Sequence, residues 1–251
     1  MIFDLDFAIK SVPEIMKALP VTLLLTVIGM VFSLIFGFVV SLCRMYRVPV
    51  LGKLASFYLL VIRGVPLMVQ LYFVFVALPI WAQSIIDAMG LNVIVDPSPI
   101  LVASLALVCN YTAYMSEVIR SSLLSVDYGQ MEAAHSIGMS STQAMVRIII
   151  PQAIVVAIPN IGNTFIGLVK DTSLAYMVMV MDIMGAAKKV AGSGLNYLET
   201  YVVAALIYWV LNIILERIFA MVEKRANHFN SKNAPVTAKK AQISAETAVN
   251  S

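Results

Sequence analysis

Long runs of apolar residues without a charge dominate the chain. Five of them are long enough for a membrane helix, because ~20 apolar helical residues cross a bilayer core about 30 Å thick. They cover residues 18–43, 64–86, 97–116, 148–169 and 200–215. The fourth run stops at Lys170 and Asp171 and continues apolar to Met181. The runs lack the period-two alternation of barrel strands, so the pattern predicts an all-α polytopic membrane protein with about five transmembrane helices.

The polar residues outside these runs divide the chain into three parts. We expect an extracytoplasmic N-terminal segment at 1–17, a transmembrane domain at 18–223 and a disordered cytoplasmic tail at 224–251, where Asn, Ser, Thr, Lys and Ala dominate. The first apolar run follows three acidic residues and is too long for the hydrophobic part of a signal peptide. It is therefore expected to remain as a span.

Basic residues are distributed unevenly between the two sides of the predicted spans. Twelve of the 17 Lys and Arg residues fall on the side of the C-terminus and four on the other side, with Lys170 inside the membrane. The positive-inside rule then places the N-terminus outside and the C-terminus in the cytoplasm. Arg63, just before the second span, is interpreted as a cytoplasmic anchor, with Pro66 in the first helical turn.

Composition agrees with a protein solvated by a lipid bilayer. Of the 251 residues, 61% are hydrophobic and 12% are charged, and the mean hydropathy is +0.91. Soluble domains carry about twice that share of charge. The net charge of +3 forms no basic stripe, so no nucleic acid is expected as a partner. Cys43 and Cys109 lack metal-ligand spacing and no HExxH or GxSxG motif occurs, so we expect neither a metal site nor catalytic residues.

A short polar segment between the third and fourth spans carries the most specific pattern. It reads EAAHSIGMS at 132–140 and is followed by VRIIIPQ at 146–152. The pattern predicts a short helix with two small residues, Ala133 and Ala134, that ends at Gly138, and a next helix that begins again at Pro151. From the residues alone, a helix that docks on a partner and an ordinary solvated connector both remain open.

This segment resembles the EAA loop of the permease subunits of ATP-binding-cassette (ABC) importers for polar amino acids, the histidine, glutamine and cystine uptake type. Glu132, Ala133, Ala134 and Gly138 match the positions of that motif. Further similar segments follow the order of that family: LPVTL at 19–23, RGVP at 63–66, AYMSEVIR at 113–120 and IPNIGNTFIGLVKDTSL at 158–174. The resemblance extends from Leu19 to about Glu223.

The resemblance implies a type I ABC importer permease fold in the bacterial plasma (inner) membrane. It implies that the loop at 127–151 docks on a cytoplasmic ATPase. The expected partners are a second permease subunit, identical or homologous, two ATP-binding cassette ATPases and an extracytoplasmic substrate-binding protein. Because the chain lacks a GxxxxGK[ST] motif, it is expected to be a transport subunit and not an enzyme, with no cofactor of its own and ATP used by the partner ATPase.

Charged residues within a span are costly in lipid and are therefore candidates for function. If the fourth crossing begins near Pro159, Lys170 lies about 16 Å along it, near the midplane. A zwitterionic amino acid needs an anion and a cation, and Lys170 with Asp171 supplies both signs. We expect a distortion near Gly162 and Gly167 to present both residues to one substrate cavity. Separate structural pairing of each residue with a neighbouring helix is the alternative.

Other polar residues of the spans have weaker assignments. Glu117 and Arg120 share a helix face and are interpreted as a structural or coupling pair. Pathway lining or hydrogen bonding within the bundle is expected of Asn110, Tyr111, Tyr114 and Gln70. In the family that the chain resembles, a glutamate is frequent near the position of Thr164, and its absence argues against a strongly cationic substrate. An ion-coupled secondary amino-acid carrier remains the rival function, with Asp171 and Glu117 as ion sites.

Overall fold

The computed structural model describes the backbone of residues 3–233 and the side chains of residues 3–227. Within that range, all regular secondary structure is helical. In chain order the elements are α1 (Leu5–Met16), α2 (Leu19–Met45), α3 (Leu51–Gly64), α4 (Leu67–Ala88), α5 (Pro99–Leu124), α6 (Tyr128–Ser136), α7 (Ser141–Ala144), a π-helical stretch (Met145–Ile149), α8 (Ile150–Asp171), a 3₁₀ stretch (Thr172–Val178), α9 (Ile183–Gly194) and α10 (Tyr197–Asn233).

Five helical segments of the described chain are long and apolar enough to cross a membrane. They are Leu19–Met45, Leu67–Ala88, Pro99–Leu124, Ser141–Val178 and Tyr197–Asn227. Each overlaps one of the apolar runs, so the prediction of an all-α protein with five spans is confirmed. The fourth span is composite, because α7, the π-helical stretch, α8 and the 3₁₀ stretch follow one another without a break.

A face of small residues allows α2 to pack closely against its neighbours. The buried residues of that face recur every three or four positions: Thr22, Thr26, Gly29, Ser33, Gly37 and Ser41. A Cβ atom added to Gly37 would lie 2.9 Å from the Cβ of Met115 in α5, and one added to Gly29 would lie 3.0 Å from Leu168 in α8. Small residues at such contacts let helix backbones approach, so this face holds α2 against α5 and α8.

Hydropathy did not reveal α1 and α3, which are both too short to span a bilayer. The predicted N-terminal segment at 1–17 contains α1, which begins where the Asp4 carboxylate accepts a hydrogen bond of 3.0 Å from the Phe7 amide. Helix α3 ends at Gly64, and Val65 is extended. Pro66 disfavours a helical conformation at the residue before it, which separates α3 from α4.

The expected restart of a helix at Pro151, after the loop, is wrong. The chain re-enters a helix at Ser141, because Ser140 and Gln143 form a reciprocal capping box. Pro151 and Pro159 lie within the helix that follows. The π-helical stretch ends at Ile149, two residues before Pro151. Its wider turn accommodates a proline that lacks an amide hydrogen, so the helix continues through this position.

Helix α10 extends into the region predicted as a tail. Helix α10 continues to Asn233, so residues 224–233 are helical and not disordered as predicted. The sequence at 220–226, AMVEKRA, consists largely of good helix formers, which favours continuation of the helix past residue 223. The remaining residues of the predicted tail, 234–251, lie outside the described residues.

A buried carboxylate fixes the start of α9. One oxygen of Asp182 accepts a hydrogen bond of 2.9 Å from the Gly185 amide, and the other accepts one of 3.0 Å from the Tyr208 hydroxyl. The Thr22 hydroxyl accepts the Ile183 amide at 3.2 Å. Apolar side chains close around the same helix and join it to α1 and α10: Ala8, Ile15, Ile183, Ala187, Val203 and Ala204. Asp182 thus links α9 to α10 within this small core.

The chain divides into two compact units. The first comprises Met1–Arg120 and Asn163–Leu215, and the second comprises Ser121–Gly162 and Glu216–Ser251. The contacts of α2 with α5 and α8 and the small core around α9 both lie in the first unit. In the second unit, Gly162 lies so close to Phe219 that an added Cβ would be 2.9 Å from the phenyl ring.

Candidate functional site

The break between α3 and α4 forms one wall of a cavity in the first unit. Arg63 stands in the last turn of α3, and the extended Val65 and Pro66 lead into α4. Gln70, one turn into α4, donates hydrogen bonds of 2.8 Å to the carbonyls of Ile62 and Val65. These bonds satisfy carbonyl groups that the break leaves without helical partners, so Gln70 stabilises the break.

Helices α5 and α8 supply the other walls. Their lining residues recur at helical spacing, which places them on one face of each helix. The Asn110 amide of α5 donates to the Gln70 side chain at 3.2 Å and so connects that wall to the break. The cavity has a volume of about 610 Å³ and is lined by Arg63, Gly64, Val65, Pro66, Leu67, Asn110, Tyr111, Tyr114, Asn163, Thr164, Gly167 and Asp171.

Two charges of opposite sign face this cavity. Among its described lining residues, Arg63 is the cation and Asp171 is the anion. The Tyr111 hydroxyl donates a hydrogen bond of 2.7 Å to the Asp171 carboxylate. The Arg63 guanidinium lies 5.6 Å from the ring centre of Tyr114, within the range of a cation–π interaction. Each charge is thus held by a tyrosine, and the two rings lie 6.0 Å apart.

The structure does not bring Lys170 into the cavity with Asp171. Helix α8 remains helical through Asp171, so the two adjacent side chains diverge by about 100° and do not share a direction. Lys170 is exposed on the surface of the described chain and does not line the cavity. A contact between Lys170 and a substrate therefore stays a prediction without this cavity to support it.

Arg63 is the site residue that sequence reasoning missed. Because Arg63 precedes an apolar run, it was interpreted as a cytoplasmic anchor. This interpretation did not consider that Arg63 lies beside a helix break. The available signal was the Gly64-Val65-Pro66 triplet directly after it, since interrupted membrane helices are where polar ligands commonly bind. Asn163, also on the cavity wall, lies in the segment 158–174 that carries part of the resemblance, but it was not singled out as a candidate.

Glu117 is part of a three-residue ionic cluster. Its carboxylate accepts hydrogen bonds from Arg44 of α2 and, at 3.1–3.2 Å, from Arg120 on the next turn of α5. The sequence predicted the pair of Glu117 and Arg120, and the structure adds Arg44. This cluster ties α2 to α5, and neither Glu117 nor Arg120 lines the cavity.

The predicted loop helix is present in the second unit as α6. The Asp127 carboxylate caps it by accepting the Gly129 amide at 3.0 Å. Gly138 ends it in a left-handed conformation with φ of +83°. The Gly138 amide donates to the His135 carbonyl and the Met139 amide to the Ala134 carbonyl. These two bonds are those of a Schellman motif, so the predicted helix end at Gly138 has its expected geometry.

Residues of the EAA-like segment and two large apolar side chains are exposed on α6 or directly after it. Glu132 and Ala133 are exposed, whereas Ala134 is buried. Tyr128 and Ile137 are 73% and 77% exposed. The two alanines therefore differ: Ala134 is buried, whereas Ala133 is exposed one turn before the exposed Ile137.

Comparisons with known proteins agree with this architecture. The probable amino-acid permease protein YxeN of Bacillus subtilis (strain 168) is 41% identical over 211 residues, which are 84% of this chain and 90% of that protein. The L-cystine transport system permease protein TcyL of the same strain is 38% identical over 224 residues, which are 89% of this chain and 91% of that protein.

A solved structure has the same fold. It is a crystal structure of an amino acid ABC transporter with histidines, which is 31% identical, has a TM-score of 0.77 and covers 90% of this chain and 100% of that one. The predicted type I ABC importer permease fold is thereby confirmed. The family model for a binding-protein-dependent transport system inner membrane component matches residues 29–228. The chain therefore belongs to the family of binding-protein-dependent transport system inner membrane components.

Proposed function

We propose that this chain is the permease subunit of an ATP-driven importer that carries polar amino acids, with cystine-like compounds among them, into the cell. The similar permeases of amino-acid and L-cystine transport support the substrate class. The observation that carries the proposal is the cavity in which Arg63 and Asp171 lie together. A zwitterionic amino acid carries a positive ammonium group and a negative carboxylate group, so the cavity offers each charged end a partner of opposite sign.

The physical need for both charges is strong. A zwitterion that leaves water loses the hydration of its ammonium and carboxylate groups, which costs several kcal/mol for each ion unless a partner replaces the water. The forked guanidinium of Arg63 fits a carboxylate, and Asp171 fits an ammonium. The remaining polar lining comes from neutral side chains, including Asn110, Asn163 and Thr164. This set favours an uncharged polar side chain on the substrate.

The proposed assembly contains a second permease subunit, two ATP-binding cassette ATPases and an extracytoplasmic substrate-binding protein. The excess of Lys and Arg on one side supports an N-terminus outside and a C-terminus in the cytoplasm. ATP is used by the partner ATPases. They drive transport if their ATP-bound form binds one conformation of the permease more tightly than the other.

The test compares Arg63→Met with Lys170→Met, which remove one long cationic side chain each. We expect Arg63→Met to lower uptake at least about tenfold, because a charged hydrogen-bond partner of the substrate is lost. Lys170→Met should transport nearly as wild type. The measurement is ATP-dependent uptake of labelled glutamine and cystine by proteoliposomes that contain the complete transporter and its binding protein, with assembly checked by size-exclusion chromatography.

Two results would contradict the proposal. The first is normal uptake in Arg63→Met together with loss of uptake in Lys170→Met, which would indicate that Lys170, and not Arg63, contacts the substrate. Uptake that continues without ATP and stops when ion gradients are collapsed would replace the importer by an ion-coupled carrier.

We further propose that the loop at 127–151 docks on the ATPase through the outer surface of α6. The exposure of Ala133 and, one turn later, of Ile137 supports this role, since an exposed apolar side chain beside a small residue suits close contact with a partner's groove. Glu132 lies exposed beside them. Ala134 and Gly138 contribute by shaping the helix and its end.

Gly90→Val provides a matched control for Gly138→Val. Both glycines have positive φ angles, +70° and +83°, and open space where a Cβ would be added. A left-handed conformation costs an ordinary side chain about 1–2 kcal/mol, so either valine should distort its own loop. Only Gly138→Val should weaken the binding of purified ATPase to the permease. Normal binding in this variant would remove the docking role, and equal loss in both variants would indicate general instability.

A further inference from the structure

Helix α1 presents three different faces. One face is apolar and exposed, with Leu5 and Ile9 63% and 61% exposed. Val12 and Met16 continue that face one and two turns further along. These residues recur at intervals of four and three, which places them in one stripe. Exposure of four large apolar side chains on a twelve-residue helix needs an apolar environment.

The other two faces define what surrounds the helix. Ala8, Ser11 and Ile15 are buried, and Ala8 and Ile15 pack in the core with α9 and α10. The third face is exposed and charged, with Asp6, Lys10, Glu14 and Lys17. At about 100° per residue, the three faces are centred roughly 120° apart. A helix with a protein face, an apolar face and a charged face fits the boundary between lipid and water.

The apolar face of α1 leads into a groove in the first unit. One side of the groove is formed by Val12, Met16 and Leu19, and the other by residues of α10 that include Leu206, Val210 and Ile214. These three α10 residues are about half exposed and belong to the fifth span. Because the outward residues of a span contact acyl chains, the groove is continuous with the boundary between protein and lipid.

The chemistry of the groove favours an apolar occupant. Its volume is about 290 Å³, and its nine lining residues are all apolar. Water has no polar partners on such a lining. Because the α10 residues of this lining belong to a span whose outward side chains contact acyl chains, a hydrocarbon chain of a lipid suits the groove.

We propose that this groove binds one acyl chain of a membrane phospholipid, and that α1 lies at the membrane surface above it. The lipid then fills the space between the N-terminal helix and α10. In this arrangement α1 and the lipid together cover the end of the fifth span, and the charged face of α1 stays in water.

Photo-crosslinking in native membranes identifies the occupant. A benzophenone amino acid placed at Val210 of the complete transporter should form an adduct with the mass of a phospholipid. A crosslink to a second copy of the chain or to another subunit at this position would overturn the proposal, because a protein and not a lipid would then fill the groove.

Lipid retention tests the groove independently. Leu206→Trp should fill the groove, whereas Ile35→Trp places the same side chain on an exposed position of α2 outside it. Native mass spectrometry of the assembled transporter, supplied with palmitoyl-oleoyl phosphatidylethanolamine, measures lipid bound per permease. We expect wild type and Ile35→Trp to retain one more phospholipid per permease than Leu206→Trp. Equal retention in all three would overturn the proposal.

Discussion

Two aspartates of the first unit each accept a hydrogen bond from a tyrosine hydroxyl, yet their surroundings differ. Tyr111 donates to Asp171 at 2.7 Å, and Tyr208 donates to Asp182 at 3.0 Å. The two aspartates stand on either side of the 3₁₀ stretch, Thr172–Val178. Asp171 lines a cavity that Arg63 also lines. Asp182 is fully buried, and its second oxygen accepts the Gly185 amide at the start of α9.

The difference shows that the surroundings of a carboxylate decide its role. Both oxygens of Asp182 are used by the fold, so this residue has no free side for a ligand and acts as a structural joint. Among the described residues, Asp171 accepts a hydrogen bond from Tyr111, and it lines a cavity that a cation also lines, which is the arrangement of a binding site. A residue type and a tyrosine partner are therefore not enough to assign function.

The largest expected effect comes from removing the structural carboxylate. Asp182→Ala leaves the Gly185 amide and the Tyr208 hydroxyl without their partner and removes the cap of α9. The loss should lower the free energy of unfolding by about 2–4 kcal/mol. The thermal midpoint of the purified complex and the amount of protein in the membrane report it. Uptake per assembled transporter should stay near wild type; stable protein with lost uptake would make Asp182 a functional residue.

The sequence predicted one member of this comparison and missed the other. Asp171 interrupts an apolar run, and a charged side chain within a membrane span is energetically costly, so the sequence alone marked it as a functional candidate. Asp182 follows the end of that run, and its partner Tyr208 stands in the next span, so no local pattern marks their contact. Arg63 was missed for a related reason: it lies next to the break after α3, but the positive-inside rule already explained it.

Local features were predicted more reliably than contacts between distant segments. The end of α6 at Gly138 depends on a few consecutive residues, and its φ of +83° agrees with the prediction. The error at Pro151 was also local. Ser140 and Gln143 have the spacing of a capping box, which is a stronger start signal than a proline eleven residues after Ser140. Five spans could be counted from hydropathy, whereas α1 and α3 are set by their packing.

A smaller effect, confined to transport, is expected for Asp171→Asn. The amide keeps the size of the side chain and can still accept the Tyr111 hydroxyl, but it no longer offers a negative charge to an ammonium group. Uptake should fall at least about tenfold, with little change in thermal midpoint. Proteoliposome uptake and a melting curve of the same preparation measure the two effects. A large loss of stability without a specific loss of uptake would make Asp171 a structural joint like Asp182.

The smallest effect concerns pH. Burial raises the pKa of the Asp182 carboxyl from its ordinary 3.8 to about 6, although hydrogen bonds from Gly185 and Tyr208 act in the opposite direction. Between about pH 4 and 6, the folded chain therefore holds a proton that the unfolded chain has released, so proton binding stabilises the folded state. From about pH 7.5 to pH 5, this group should add roughly 1 kcal/mol to the free energy of unfolding.

Asp182→Asn isolates this contribution from all other titrating groups. Its amide oxygen can still accept the Gly185 hydrogen bond, but it takes up no proton, so the part of the pH dependence that comes from Asp182 should disappear. Asp171→Asn is the matched control, because it removes a carboxylate bonded to a tyrosine but leaves Asp182 in place. Melting curves of the three proteins across this pH range give the comparison. If Asp182→Asn follows the wild-type curve, burial at α9 does not favour the protonated carboxyl, and the contrast between the two aspartates lies only in access to the cavity.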